Sequence, residues 1–255
     1  METQVPQIEN KNKVTRVAAF IYGLVCYVIF FATFLYTIGF VGNLVVPKSI
    51  DSEPIIPLGQ AILVNVVLLG IFGLQHSGMA RQGFKKWWTQ IVPKSIERST
   101  YVLFSSLCLI TLFYFWQPLG MTVWNLENPL AREILFSLFG VGWLLVLVST
   151  FLINHFDLFG LRQVYLHLQG KEYTPLPFAT PALYNYVRHP LYVGFLIAFW
   201  AAPTMTIAHL LFAIITTVYI LLAIQLEERD LVSIHGQAYA DYRRRVPMLI
   251  PFGRR

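Results

Sequence analysis

Apolar residues fill this chain in long runs. Four runs, at 14–41, 58–77, 101–117 and 133–153, meet or approach the roughly 20 residues that cross a bilayer as a helix. A fifth extends over 191–226 and is interrupted by Ala202-Pro203-Thr204, where proline favours a break. It predicts a helical hairpin whose first arm, 191–202, is too short to cross alone and whose second arm, 206–226, is long enough. The expected fold is therefore all-α: a polytopic transmembrane helical bundle with five full spans plus a short hairpin arm, in a single domain over residues 1–255. The first run is too long for the roughly 7–15-residue apolar region of a cleaved signal peptide, and no small-x-small site follows it, so it is expected to stay as a helix.

Charge sharpens this picture. Only 13% of residues are charged, about half the share usual in a soluble domain. The net charge of +6 does not point to nucleic acid, because the basic residues sit between apolar spans and form no stripe. With the N-terminus in the cytosol, every basic residue of the 19 except Lys48 and Arg132 falls on the cytosolic side, as the positive-inside rule requires. That count includes Lys11, Arg254 and Arg255. Both termini and the long 154–190 segment then face the cytosol. Trp87, Trp88 and Trp116 are expected at interfacial depth. Cys26 and Cys108 lie in apolar runs and read as free buried thiols rather than a disulfide or metal site.

Two polar clusters interrupt the pattern. In the first, Leu183 to Gly194, Pro190 is placed as the first residue of a helix, so Arg188 and His189 precede a helix start that favours an anion such as a carboxylate. Gly194, one turn in, lets another group approach the backbone closely. A snorkelling arginine beside an interfacial histidine would give the same pattern. The second cluster holds Glu227, Glu228, Arg229 and Asp230, then His235, Gly236, Tyr239, Tyr242 and Arg243. A carboxylate at this membrane boundary, facing basic residues, could hold a ribose hydroxyl or an amino group. A solvated charged turn leaving the membrane is the plainer alternative.

Together the two clusters are specific. The series R-H-P-x-Y-x-G at 188–194, E-E-x-x-L at 227–231, Gly236, Tyr239 and Tyr242, then Val246-Pro247, resembles the isoprenylcysteine carboxyl methyltransferase family of integral membrane enzymes. The resemblance covers roughly 165–251 and implies a cytosolic-side pocket for S-adenosyl-L-methionine as cosubstrate. By position it implies contacts from Gln169, Tyr184, His189, Pro190, Leu191, Tyr192 and Glu227. Leu176, Pro177, Phe178 and Ala179 are implied to line the pocket, and Tyr239 and Tyr242 to close it. One departure matters. Prenylcysteine enzymes carry an arginine one turn before the first glutamate, where this chain has Ala223, so a prenylcysteine carboxylate is a poor acceptor candidate.

Leu74-Gln75-His76-Ser77 and the charged loop after it resemble the NnrU-like branch of this superfamily. The run from Ser149 to Tyr165 is similar to membrane-bound methanethiol S-methyltransferases, which implies a small thiol as acceptor, a lipid bilayer as surroundings and dimethyl sulfide as product. Methyl transfer to sulfur needs the reacting atoms in line, water excluded and a thiolate. A base or a positive field should supply that thiolate. His76, His155 and Asp157 lie at the cytosolic ends of apolar helices and are the candidates. His76 could instead be satisfied by Asn65 or Ser77, and Asp157 could orient a histidine or pair with Arg162. His209 falls at the hairpin tip, across the membrane, and reads as structural. The rival readings are methylation of hydrogen sulfide, a prenylcysteine carboxylate or a phospholipid amine, a haem protein with His76 and His155 as axial ligands, and a transporter. The oligomeric state is left open.

Overall fold

The computed structural model describes residues 5–53 and 55–251, with side chains from residue 12 onward. Arg254, Arg255 and the Lys11 side chain, which entered the charge count, lie outside the described residues. The helices are α1 (Val5–Gly42), α2 (Leu58–Ala80), α3 (Gln82–Trp88), α4 (Lys94–Phe115), α5 (Pro129–Ile153), α6 (His155–Leu158), α7 (Leu161–Leu168), α8 (Pro190–Trp200), α9 (Ile207–His235) and α10 (Gln237–Arg245). Two short strands, β1 (Thr122–Asn125) and β2 (Thr204–Thr206), pair antiparallel.

Asn12–Gly42, Leu58–Ala80, Lys94–Phe115, Pro129–Ile153 and Ile207–His235 are long and apolar enough to cross a membrane. Their outer faces carry exposed apolar side chains such as Val28, Leu63, Leu74, Leu144 and Val218, a surface suited to lipid rather than water. The protein is a multi-pass membrane protein built as a helical bundle. The short arm is α8, whose 11 residues rise only about 16 Å against a hydrocarbon core of about 30 Å.

Local chemistry sets the helix ends. Pro129 and Pro190 both occupy first-turn positions, where a missing N–H costs nothing. Asn128 caps α5 by accepting from the Ala131 N–H, and Thr206 caps α9 by accepting from the His209 N–H. Asn154 ends α5 in a left-handed conformation, and its side chain caps the next turn by accepting from the Asp157 N–H.

Three sequence expectations change. The 78–100 loop is largely helical: α3 fills part of it, and α4 begins at Lys94 rather than 101, because its charged first turns already stand outside the apolar layer. The Glu227–Asp230 cluster is no exit turn, since α9 continues as helix to His235. Trp116 is fully buried, its indole N–H donating to the Ile50 carbonyl, so it plugs the core instead of joining an interfacial belt. Cys26 is buried, Cys108 half-buried, and both are free.

The bundle has two unlike ends. At one, Asp51 binds Thr206 and Asn43 beside the β1–β2 ribbon, tying the α1–α2 loop to the hairpin tip. At the other, the basic end, the charged termini of α2, α4 and α9 meet the 154–190 segment and α10. Between the ends, α5 lies closely along α8. Their contact is backbone to backbone at two glycines: a Cβ at Gly142 would lie 2.8 Å from the Gly194 carbonyl oxygen, and one at Gly194 only 2.7 Å from that of Gly142. The close approach expected at Gly194 is thus made by α5.

Replacing Gly194 with alanine forces these backbones apart, with a cost of about 1–3 kcal/mol expected for overpacking. Thermal melting in detergent should show a lower transition for Gly194→Ala and a further loss for Gly194→Val. Unchanged melting in both would mean that the contact is not tight.

Candidate functional site

The centre of the basic end is a buried ion knot. Glu228, on α9, accepts from Arg188 Nε at 2.7 Å and from His189 Nε2 at 3.0 Å through one carboxylate oxygen. The Glu228 and Arg188 side chains are only 10% and 9% exposed, and His189 is buried. Arg188 Nη1 donates to the carbonyls of Val246 and Arg243. The backbone N–H groups of Arg188 and His189 donate to Pro247 and Met248, so the Val246-Pro247 motif is the strand of chain that folds back over the start of α8. The anion that Arg188 and His189 meet is therefore the protein's own Glu228, which the sequence reading passed over for its neighbour. Its signal was the doubled glutamate: adjacent helical residues point about 100° apart, so one can bind inward while the other faces a site.

Glu227 is that other carboxylate, with 42% of its side chain exposed. It accepts from the Tyr192 hydroxyl at 2.9 Å. It also lies within electrostatic reach of the hydroxyls of Tyr101, Tyr184, Tyr219 and Tyr239. Tyr239 is 2% exposed and its hydroxyl has no hydrogen-bond partner among the described residues. Tyr242 donates to the Tyr184 carbonyl at 2.6 Å, and Phe178 packs on Tyr239, Tyr242 and His235. Burial pushes the Tyr242 hydroxyl up to about 12, and it raises Tyr184 and Tyr239 with help from the glutamates, so these tyrosines stay protonated. Pro190 is buried, while Leu191 and Leu176 are half-buried. Gln169, Pro177 and Ala179 are exposed, and no hydrogen bond or ion pair joins them to the knot among the described residues.

His76 stands beside this group, on α2. Its ring bonds neither Asn65 nor Ser77: Asn65 is paired with Gln117, and Ser77 with Tyr219. Instead it meets Ser105 Oγ at 3.1 Å and the Tyr101 hydroxyl at 3.0–3.1 Å, with Phe72 stacked on it. Ser105 donates its one proton to the Tyr101 carbonyl, so its oxygen accepts from His76 Nδ1–H. Nε2 is then the basic nitrogen, while the Tyr101 hydroxyl lies 3.0 Å from Nδ1, 3.1 Å from Nε2 and 3.3 Å from the His76 carbonyl oxygen, a position over the ring and not in line with either nitrogen. Tyr101, Ser105 and Tyr219 were absent from the sequence reading. Their only signal was helical spacing, Ser105 four residues after Tyr101 and Tyr219 eight before Glu227.

His155 and Asp157 are placed differently. His155 is 3% exposed, and by the same proton accounting its Nδ1–H donates to Thr150 while Nε2 accepts from Tyr27. Its ring is closed on both sides, and neither partner belongs to the Glu227 group. Asp157 pairs with Arg162 at 3.0 Å and accepts from Tyr173. With the ring nitrogens of His76 and His155 held by different hydroxyls, the two do not form an axial pair for haem. His209 donates to the Phe199 carbonyl at the tip end, where a cavity of about 220 Å³ is lined by Arg132, Phe136, Phe139 and Pro203.

Comparison with known proteins decides the family. A methanethiol S-methyltransferase of Crocosphaera subtropica is 59% identical over 249 residues, covering 98% of each chain. The chain belongs to the methanethiol S-methyltransferase family. The Mycobacterium tuberculosis methanethiol S-methyltransferase is 54% identical over 94% of this chain and 98% of its own. Nurim of Bos taurus is 33% identical over 70% of this chain and 72% of its own. No protein-family model and no solved structure matches the chain.

Two outcomes are expected. Arg188→Ala strands a buried Glu228 and should destabilise the protein by about 3–5 kcal/mol, with Glu228→Gln milder, as read by thermal melting. Burial pulls His155 below its ordinary 6.5, so on acidification the unfolded chain takes up that proton first. The stability given by the neutral ring is present above 6.5 and is lost as the pH falls below it, and the acid slope of the melting temperature should be shallower in His155→Gln.

Proposed function

We propose that the protein methylates methanethiol to dimethyl sulfide with S-adenosyl-L-methionine as methyl donor, at the basic end of the bundle and on the cytosolic side. The observation that carries the acceptor is the near full-length identity to proteins named methanethiol S-methyltransferase. The distribution of basic residues supports the orientation, which gives a nucleotide-containing cosubstrate access from the cytosol. Residues 165–251 would form the donor-binding part.

The side chains present fit this donor. When bound, S-adenosyl-L-methionine supplies a methyl group on a sulfonium cation. A half-open carboxylate ringed by tyrosines suits a cation, through charge and through the faces of the rings. The buried Tyr239 hydroxyl, unpartnered among the described residues, suits a polar ligand. In this reading Glu227, Tyr192, Tyr184 and Tyr239 meet the donor, while Arg188, His189 and Glu228 hold those residues in place. Tyr242 and Phe178 close the pocket.

His76 takes the thiol proton. Its Nε2 carries the free lone pair and takes the proton directly from the thiol, with the Tyr101 hydroxyl 3.1 Å away as a polar neighbour. The thiol sulfur forms the new S–C bond as the sulfonium S–CH3 bond breaks, and the proton remains on His76 until it leaves to water. The apolar helices keep competing water away from the sulfur. His155 and Asp157 shape the ends of α5 and α7 instead of touching the acceptor.

The test is dimethyl sulfide in the headspace of purified protein given S-adenosyl-L-methionine and methanethiol. Product is expected from the parent, and none from His189→Ala or Glu227→Ala. His76→Ala should lower kcat by about 100-fold or more while donor binding persists. Glu227→Gln should weaken donor binding about tenfold or more by calorimetry. No product from a parent that still binds the donor would move the acceptor to hydrogen sulfide, a prenylcysteine carboxylate or a phospholipid amine.

A further inference from the structure

Arg132 is one of the two basic residues that the charge count leaves at the tip end, and methyl transfer gives it no task. It sits in the first turn of α5, where Nη1 donates to the Leu126 carbonyl at 3.1 Å and to Asn125 Oδ1 and Thr204 Oγ1 at 3.4 Å. Among the described residues no carboxylate pairs with it, and its Nε and Nη2 make no hydrogen bond. It lines the cavity of about 220 Å³ bounded by the end of α1, the start of α5 and the hairpin tip. Phe139, Ala201, Ala202, Pro203 and His209 form a buried lining, while Leu44 and Phe136 are 41% and 40% exposed. The cavity therefore reaches from the interior to apolar side chains on the flank of the bundle. His209, only 2% exposed, gives an independent observation. Its Nε2–H is committed to the Phe199 carbonyl at 2.9 Å. Its Nδ1 makes no hydrogen bond, and the Asp51 carboxylate 3.8 Å from it already accepts from Thr206 and Asn43. A neutral ring thus presents a buried lone pair that lacks a donor, and such atoms are normally satisfied.

We propose that this cavity is a phospholipid site, in which Arg132 binds the phosphate and a head-group N–H or O–H donates to His209 Nδ1. A guanidinium with donors to spare suits a phosphate, through charge and through its planar fork. The first turn of a membrane-spanning helix lies at the depth of the lipid head groups. The acyl chains leave over Leu44 and Phe136, and the Phe136 ring, 5.9 Å from the guanidinium, joins the charged part of the site to the apolar part. At about 30 Å³ for a water molecule, the space is several times too large for one water, and it takes a head group whose chains remain outside. A free inorganic anion would use Arg132 alone, leaving the histidine and the apolar rim without a role. Water would satisfy the histidine and leave the guanidinium without a counter-charge. One phospholipid answers all three features, and it ties α1, α5 and the hairpin tip together at the end opposite the Glu228 knot.

The experiment follows thermal melting of the delipidated full-length protein in detergent while phosphatidylethanolamine, phosphatidylglycerol, phosphatidylcholine, diacylglycerol or inorganic phosphate is titrated in. The first two lipids carry both a phosphate and a head-group donor and should raise the transition saturably. Phosphatidylcholine lacks the donor and should need about tenfold more lipid for half the shift. Diacylglycerol and inorganic phosphate should give no shift at the same concentrations. Arg132→Gln removes the charge and should raise the half-saturating concentration about tenfold or more. Leu44→Trp obstructs the apolar rim with Arg132 intact and should do the same, so it decides the matter if Arg132→Gln does not melt cooperatively. Equal shifts in the parent and in Leu44→Trp would mean general solvation by lipid and overturn the site. So would equal shifts from all three phospholipids, no shift from any of them, or a shift from inorganic phosphate that matches theirs, which would make this a free-anion site.

Discussion

The carboxylate of Glu228 holds the basic end together. A buried charge is tolerated only when paired and hydrogen-bonded, and this one takes both the guanidinium of Arg188 and the imidazole of His189. Those two residues precede α8, and Arg188 in turn holds the carbonyls of the returning tail. One side chain therefore fixes three pieces of chain that would otherwise be independent: the end of α9, the start of α8 and the segment after α10. With Glu228 committed inward, helix geometry turns Glu227 toward the open space. The site carboxylate is positioned by its neighbour, not by its own contacts alone.

The short arm α8 is what lets this happen at the membrane surface. It is anchored at its start by the ion knot and partway along by the glycine contact with α5, and it ends at the paired strands of the tip. A helix too short to cross leaves its first residues just inside the basic end, where His189 and Tyr192 can meet both glutamates. The same arrangement brings α2 and α4 alongside, so that the His76 group and the Glu227 group share one region without sharing a hydrogen bond.

Much of this was legible in the sequence, for physical reasons. Runs of apolar residues report spans because lipid offers no alternative partner to the backbone, and Pro190 and Pro203 mark a helix start and a break because proline lacks an N–H. The two motifs marked where polar groups gather, and His76 stood out as an ionisable group at depth. What stayed hidden was direction. Glu227 and Glu228 read alike until α9 is seen to run on past them, and only then does one point into the knot and the other out of it. Tyr101 and Tyr219 lie within apolar runs, and nothing local says that their hydroxyls meet His76 and Ser77. Trp116 was misplaced for the converse reason: a tryptophan near a helix end suits the interface or the core equally, and the Ile50 carbonyl that holds it is 66 residues away.

The pairing of Gly142 with Gly194 has a genetic consequence. A clash between side chains can be cured by shrinking the opposing residue, which is how second-site suppressors usually arise. Here a side chain added at either glycine meets main-chain atoms of the other helix, a carbonyl oxygen and an amide nitrogen, which no substitution removes. Neither position can compensate for the other. Revertants of a mutation at either site should restore glycine itself, and the two positions should drift in sequence far less freely than the side-chain contacts around them.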